Sequence, residues 1–85
     1  MWYLEAFDSG TKLLVRDFPM KELTTAQVKD LLQLGDSIEI DGVRYPLEAG
    51  GFDIPDATLV RFATYIDGDF RADPNCEYQV SFFDE

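Results

Sequence analysis

Four acids fall within eleven residues of the stretch DGDFRADPNCEYQVSF (67–82): Asp67, Asp69, Asp73 and Glu77. Carboxylates at this spacing have three uses. They chelate a hard cation, work as an acid–base pair on a glycoside, or present a negative surface to a basic partner. A calcium loop begun at Asp67 needs an oxygen ligand at its fifth position, a glycine at its sixth and a glutamate at its twelfth. Arg71 and Tyr78 hold the fifth and twelfth positions, and Gly68 falls second. Turn acids in water are therefore the expectation there, with no metal. Glycosidase work needs a cleft, and a chain of 85 residues has little room for both a scaffold and a deep site.

The other chemical residues narrow the field further. Histidine is absent, which removes the commonest acid–base group, the usual triads and most zinc sites. Cys76 is the only cysteine, so no intramolecular disulfide forms, and its place in the last strand marks it as a core thiol. Gly50-Gly51 lacks the lysine and the spacing of a phosphate loop. An enzyme is not expected, and no cofactor is called for.

Seventeen acids against seven bases give a formal charge of −10. The charge is spread: residues 1–50 are net −4 and residues 51–85 net −6. Such a surface repels nucleic acid and anionic membrane and draws in basic proteins. Arg16, Arg44, Arg61 and Arg71 are scattered among acids and form no stripe for a phosphate backbone. Plain solubility is the competing explanation of the charge. The opening MWYLEAF has no basic n-region, and no apolar run approaches membrane-spanning length. A soluble protein of the reducing cytoplasm is expected.

These residues must be positioned by a single α+β domain. WYLEAF (2–7) and KLLVRDF (12–18) read as a hairpin, ended by Pro19. One α-helix is expected over 25–34. Thr24 and Gln27 form a capping box, Leu23 and Val28 a staple, and Gly35 the left-handed stop. Asp41-Gly42 predicts a type I′ turn, pairing Ile40 with Val43, Glu39 with Arg44 and Ile38 with Tyr45. Pro46 places that strand at an edge. Residues 49–56 read as a loop. TLVRFATYI (58–66) fits a helical face at Leu59, Phe62, Ala63 and Ile66. Its β-branched and aromatic residues, with Asp67-Gly68 following, favour a strand. Residues 73–75 turn into a last strand over 76–83, with Cys76, Tyr78, Val80 and Phe82 on one face. The sum is a mainly antiparallel sheet of about five or six strands with one helix.

The expected binding patch is Asp67, Asp69, Asp73 and Glu77, joined by Asp53 and Asp56 if the 49–56 loop folds alongside. Turn chemistry alone accounts for Asp41 and Asp67. Some of Tyr65, Phe70 and Phe83 are expected to face outward as anchors among the acids, Phe70 among them.

Two end segments carry a family resemblance. Glu77, Tyr78, Val80, Ser81 and Phe82 make an E-Y-x-V-S-F strand followed by Asp84 and Glu85, and Phe7, Asp8 and Thr11 make an F-D-x-x-T opening. These resemble the ends of the cloacin-type immunity proteins, small acidic proteins that neutralise the ribosome-targeting ribonuclease domains of colicins. The capped helix and the SIEIDGVRY hairpin have no counterpart there. The resemblance implies a helix-bearing antiparallel sheet and an acidic face covering a basic nuclease toxin, with Asp8, Glu77 and Asp84 on or near it. The leading expectation is thus an immunity protein or inhibitor of a basic toxin. The alternatives are a phage nucleic-acid mimic of anti-CRISPR or anti-restriction type, with acids in phosphate-like rows, and an adaptor that offers an edge strand.

Overall fold

The computed structural model describes residues 1–84. Its elements run β1 (Trp2–Asp8), β2 (Leu14–Met20), α1 (Thr25–Leu32), β3 (Ser37–Ile40) and β4 (Val43–Pro46). A single 3₁₀ turn (Leu47–Ala49), β5 (Gly51–Asp53), α2 (Asp56–Ala63) and β6 (Cys76–Phe82) follow. The class is α+β. Four strands form an antiparallel sheet in the order β2-β1-β6-β5, and β3 pairs with β4 in a separate hairpin. The six strands are therefore divided four and two.

The alternation of WYLEAFD puts Trp2, Leu4 and Ala6 on one face of β1, and that of CEYQVSF puts Tyr78 and Val80 on the same face of β6. Val28 of α1 and Leu59 and Phe62 of α2 close over this face, joined by Met20, Leu23 and Ile54. Each large side chain so buried contributes roughly 1.5–3 kcal/mol. The Trp2 indole N–H donates to Thr25 Oγ1 at 3.1 Å, and that hydroxyl donates to Glu48 Oε2 at 3.1 Å. This chain ties α1 and the 3₁₀ turn to the first strand.

The capping box forms as the pattern requires. Thr24 Oγ1 accepts from the Gln27 N–H at 3.2 Å, and Gln27 Oε1 accepts from the Thr24 N–H at 2.9 Å. The stop comes two residues before Gly35. Gln33 adopts the left-handed conformation (φ +54°), and the Gln33 and Leu34 N–H groups bond back to Asp30 and Lys29. The Asp41-Gly42 hairpin has the expected register, with positive φ at both turn residues.

Three local expectations are corrected, the first being the 49–56 loop, whose residues 51–53 pair with β6 as strand β5. Residues 56–63 form a second helix where a strand was expected over 58–66. Pro55 precedes the first turn, Asp56 favours the positive end of the helix dipole, and Leu59 and Phe62 meet the core at helical spacing. The β-branched composition is overridden by that burial. Strand β2 also runs through Pro19 to Met20 instead of ending there. Proline is tolerated because β2 is an edge strand.

Candidate functional site

Both helices pack on the Trp2–Leu4–Ala6 face of the four-stranded sheet, and on its other face Asp17, Asp53 and Glu77 are exposed, Tyr3, Phe7, Gln79 and Ser81 half-buried and Glu5 buried. Strand parity places Tyr3, Glu5 and Phe7 of β1 there, with Glu77, Gln79 and Ser81 of β6. Asp17 of β2 is in register with Glu5, and Asp53 of β5 with Gln79. Asp17, Glu5, Gln79 and Asp53 thus form one row across four strands, about 14 Å long at the usual strand spacing. Glu5 is 8% exposed, and its Oε1 accepts from the Ser81 hydroxyl at 2.5 Å. Carboxylates facing one another across strands repel, so Asp17 beside Glu5 is a cost to folding that the sheet tolerates.

Aromatic side chains flank the row. Tyr3 meets Phe83 edge to face, with ring centroids 5.4 Å apart, and Phe83 remains half exposed. Phe7 pairs with Glu77 on one side and with the exposed Leu14 on the other. Glu77 accepts a charged hydrogen bond from Lys12 Nζ at 2.8 Å, which offsets its charge locally. Such an exposed pair contributes no more than about 1 kcal/mol.

A second acidic group adjoins this face where β6 begins. Asp53, Asp56 and Glu77 line a depression of about 430 Å3 with Ser9, Cys76 and Tyr78. Asp56 and Asp73 line a neighbouring one of about 320 Å3 that shares Cys76 and Tyr78. The 49–56 segment does fold alongside, and four expected residues gather there: Asp53, Asp56, Asp73 and Glu77. Asp73 is held by its own turn, its Oδ1 accepting from the Asn75 N–H and its N–H donating to the Tyr78 hydroxyl, both at 2.8 Å.

The other expected residues do not join them. Asp67 and Asp69 are exposed on the connection after α2 and line neither depression. Asp84 follows Phe83 at the far end of β6, roughly 20 Å along the strand from Glu77. Glu85 lies outside the described residues. Phe70 is corrected from outward anchor to core margin: its ring stands edge to face with Phe18 at 5.1 Å and Tyr78 at 5.7 Å. Tyr65 likewise packs against the core, so Phe83 is the one of the three whose exposure matches.

Asp8 caps the β1–β2 turn. The N–H groups of Thr11 and then Gly10 bond its carboxylate and hold its pKa below the ordinary value. Burial, and then the charges of Asp73 and Asp8, push the Cys76 thiol up. A thiol so held stays protonated near neutrality and is a poor nucleophile. Among the described residues no cluster of acids and cysteine is arranged to hold a metal ion. No helix among them is long and apolar enough to cross a membrane. The sheet face opposite the helices carries exposed Asp17 and Asp53 on its edge strands, a nearly buried Glu5 between them and half-buried Tyr3 and Phe7 beside them.

Glu5 and Asp17 are the residues that reading the chain in order missed. The parity of WYLEAFD sets Glu5 between Tyr3 and Phe7, away from Trp2, Leu4 and Ala6, and this was the available signal. Pairing with Asp17 follows only from the sheet register.

No curated protein and no solved structure matches this chain. Residues 1–81 match a family described as a domain of unknown function, DUF7683, and the chain belongs to that family.

Proposed function

We propose that this chain is an immunity-type inhibitor that covers the basic, phosphate-binding surface of a nuclease toxin domain. The observation that carries this reading is the sheet face opposite the helices, where Asp17, Glu5 and Asp53 share a row flanked by Tyr3, Phe7 and Phe83. Carboxylates there steer a basic protein into encounter, and the aromatics supply contact area once water is expelled. A net charge of −10 extends the attraction beyond the patch. The end motifs fit the same reading: Glu77 lies on this face, and Asp8 caps the turn that brings Lys12 to it. We assign the protein to the cytoplasm, where a toxin of this kind has its target and Cys76 stays reduced.

The acids stand in one row broken by Gln79 and flanked by aromatics, which favours a protein inhibitor over a mimic of a phosphate backbone. An adaptor that lends an edge strand is less well supported. The edge of β2 carries a bulge at Val15 and a proline at 19, and β5 is three residues long with Pro55 close behind.

The test is capture of partners on the immobilised chain from its native host, with elution by rising salt. The captured protein is then assayed for nuclease activity with added chain. One basic protein, released by salt and silenced at one equivalent of this chain, is the expected result. A neutral partner that survives high salt would overturn the reading, as would a component of a CRISPR or restriction complex.

A further inference from the structure

The β3–β4 hairpin carries a second contact surface. Its alternation sets Ile38, Ile40, Val43 and Tyr45 on one face, with Ile40 opposite Val43 and Ile38 opposite Tyr45. Such a face normally belongs to a core. Here Ile40 is 46%, Val43 52% and Tyr45 40% exposed, and none of the three joins the core cluster. Ile38 alone turns inward, its Cδ1 reaching the backbone at Gly50. A two-stranded sheet is marginal by itself, and three exposed apolar side chains add to the cost of leaving it bare. The type I′ turn keeps the face preformed, because both its residues take the positive φ that matches strand twist.

Charge says what covers it. Of the acids in segment 36–48, Asp36 pairs with Lys29, Glu48 accepts from Thr25 and Glu39 stands opposite Arg44, which leaves Asp41 unpaired at the hairpin tip on a molecule of net −10. A second copy would bring the same charge to the contact and repel it, as would an anionic membrane. We propose that the apolar face of the hairpin docks a basic protein segment, one whose apolar side chains alternate with lysine or arginine. The apolar side chains meet Ile40, Val43 and Tyr45, and the cations meet Asp41 at the tip and the negative field of the whole molecule. This rests on the reading of the chain as a binder of basic protein, but concerns a different surface from the sheet face opposite the helices.

Three synthetic twelve-residue peptides separate the two claims by NMR: alternating Lys/Leu, alternating Lys/Ser and alternating Glu/Leu. The Lys/Leu peptide should shift the Ile40 and Val43 methyl signals and the Tyr45 ring signals saturably. Val43→Asp should weaken that binding by about tenfold, the loss expected of a central apolar contact. Thermal melts of V43D check that the fold is kept. Tyr45→Ala, which adds no charge, should weaken binding in the same direction. The Lys/Ser peptide should shift signals of the sheet face only, and the Glu/Leu peptide neither. Lys/Leu shifts confined to Tyr3, Phe7 and Phe83 would overturn the hairpin proposal and leave the sheet-face reading standing. Hairpin shifts that depend on protein concentration without peptide would overturn it in favour of a second copy. Failure of the Lys/Ser peptide to move the sheet face would count against the sheet-face reading alone.

Discussion

Gln33 ends helix α1 at φ +54°, a conformation that costs an L-residue roughly 1–2 kcal/mol and costs glycine little. The backbone bonds that close the helix come from the Gln33 and Leu34 N–H groups, not from the glutamine side chain. Gln33→Gly should therefore raise stability by about 0.5–1 kcal/mol, after allowing for glycine's extra freedom when unfolded. In a domain of this size that is a rise of a few degrees in Tm, read by circular dichroism. A fall would mean that the Gln33 side chain holds something the backbone account omits. Asp8 gives a pH-dependent counterpart. Its carboxylate is held below the ordinary range by the Thr11 and Gly10 N–H groups. A depressed carboxylate contributes stability above its unfolded pKa and loses it as pH falls through the folded value. Wild type should therefore exceed Asp8→Asn in urea midpoint at neutral pH, with the gap closing below about pH 4. An equal gap at all pH values would show that the amide loses geometry and not charge.

Helix α2 shows how a correct local signal can lose to composition. Leu59, Phe62, Ala63 and Ile66 have helical spacing, but Thr58, Val60, Thr64 and Tyr65 read as strand, and Asp67-Gly68 reads as a hairpin turn. Gly68 does take positive φ, at +92°, yet no strand pairs across it. Burial of Leu59 and Phe62 decides the matter. Val60 tests it directly, being 69% exposed in the middle of α2. Val60→Ala should stabilise by a few tenths of a kcal/mol, because alanine is the better helix former and little packing is lost. A strand would be weakened by the same change. Elements with local signals were legible: the capping box needs two residues three apart, and the Asp41-Gly42 turn two adjacent ones. Elements that depend on distant partners were not. Pro19 reads as a strand end until β2 is known to be an edge. Of the site, Asp53, Asp56, Asp73 and Glu77 could be grouped by assuming that one loop folds back. Glu5 and Asp17 stand twelve positions apart in the chain and meet only through sheet register. Phe70 lies in a loop, where parity says nothing about which way a ring turns.

At the scale of the molecule, one quantity acts on folding and on the proposed binding alike. The domain measures 35 × 29 × 27 Å and carries a net charge of −10. At 0.01 M ionic strength the screening length is about 30 Å, so each carboxylate feels nearly every other. At 0.15 M it is about 8 Å, and only near neighbours count. Salt should therefore raise Tm by relieving self-repulsion, and slow association with a basic partner by about tenfold or more. The two effects oppose one another, and on the proposed reading the acids of the sheet face belong to both. Asp17 and Asp53 are exposed and take part in no ion pair among those the structure shows, so reversing them separates the roles. The double variant Asp17→Lys with Asp53→Lys should melt higher at low salt, since Asp17 no longer opposes Glu5. It should also associate more slowly with the captured basic partner, and with a flatter dependence on salt. Calorimetry and stopped-flow mixing at the two ionic strengths read both. A higher Tm with unchanged association would leave the row as a mere cost to folding and move the binding surface elsewhere. A lower Tm would show that the row is structural. Only the combination of greater stability and slower association fits a surface kept acidic, against its own stability, for the sake of a partner.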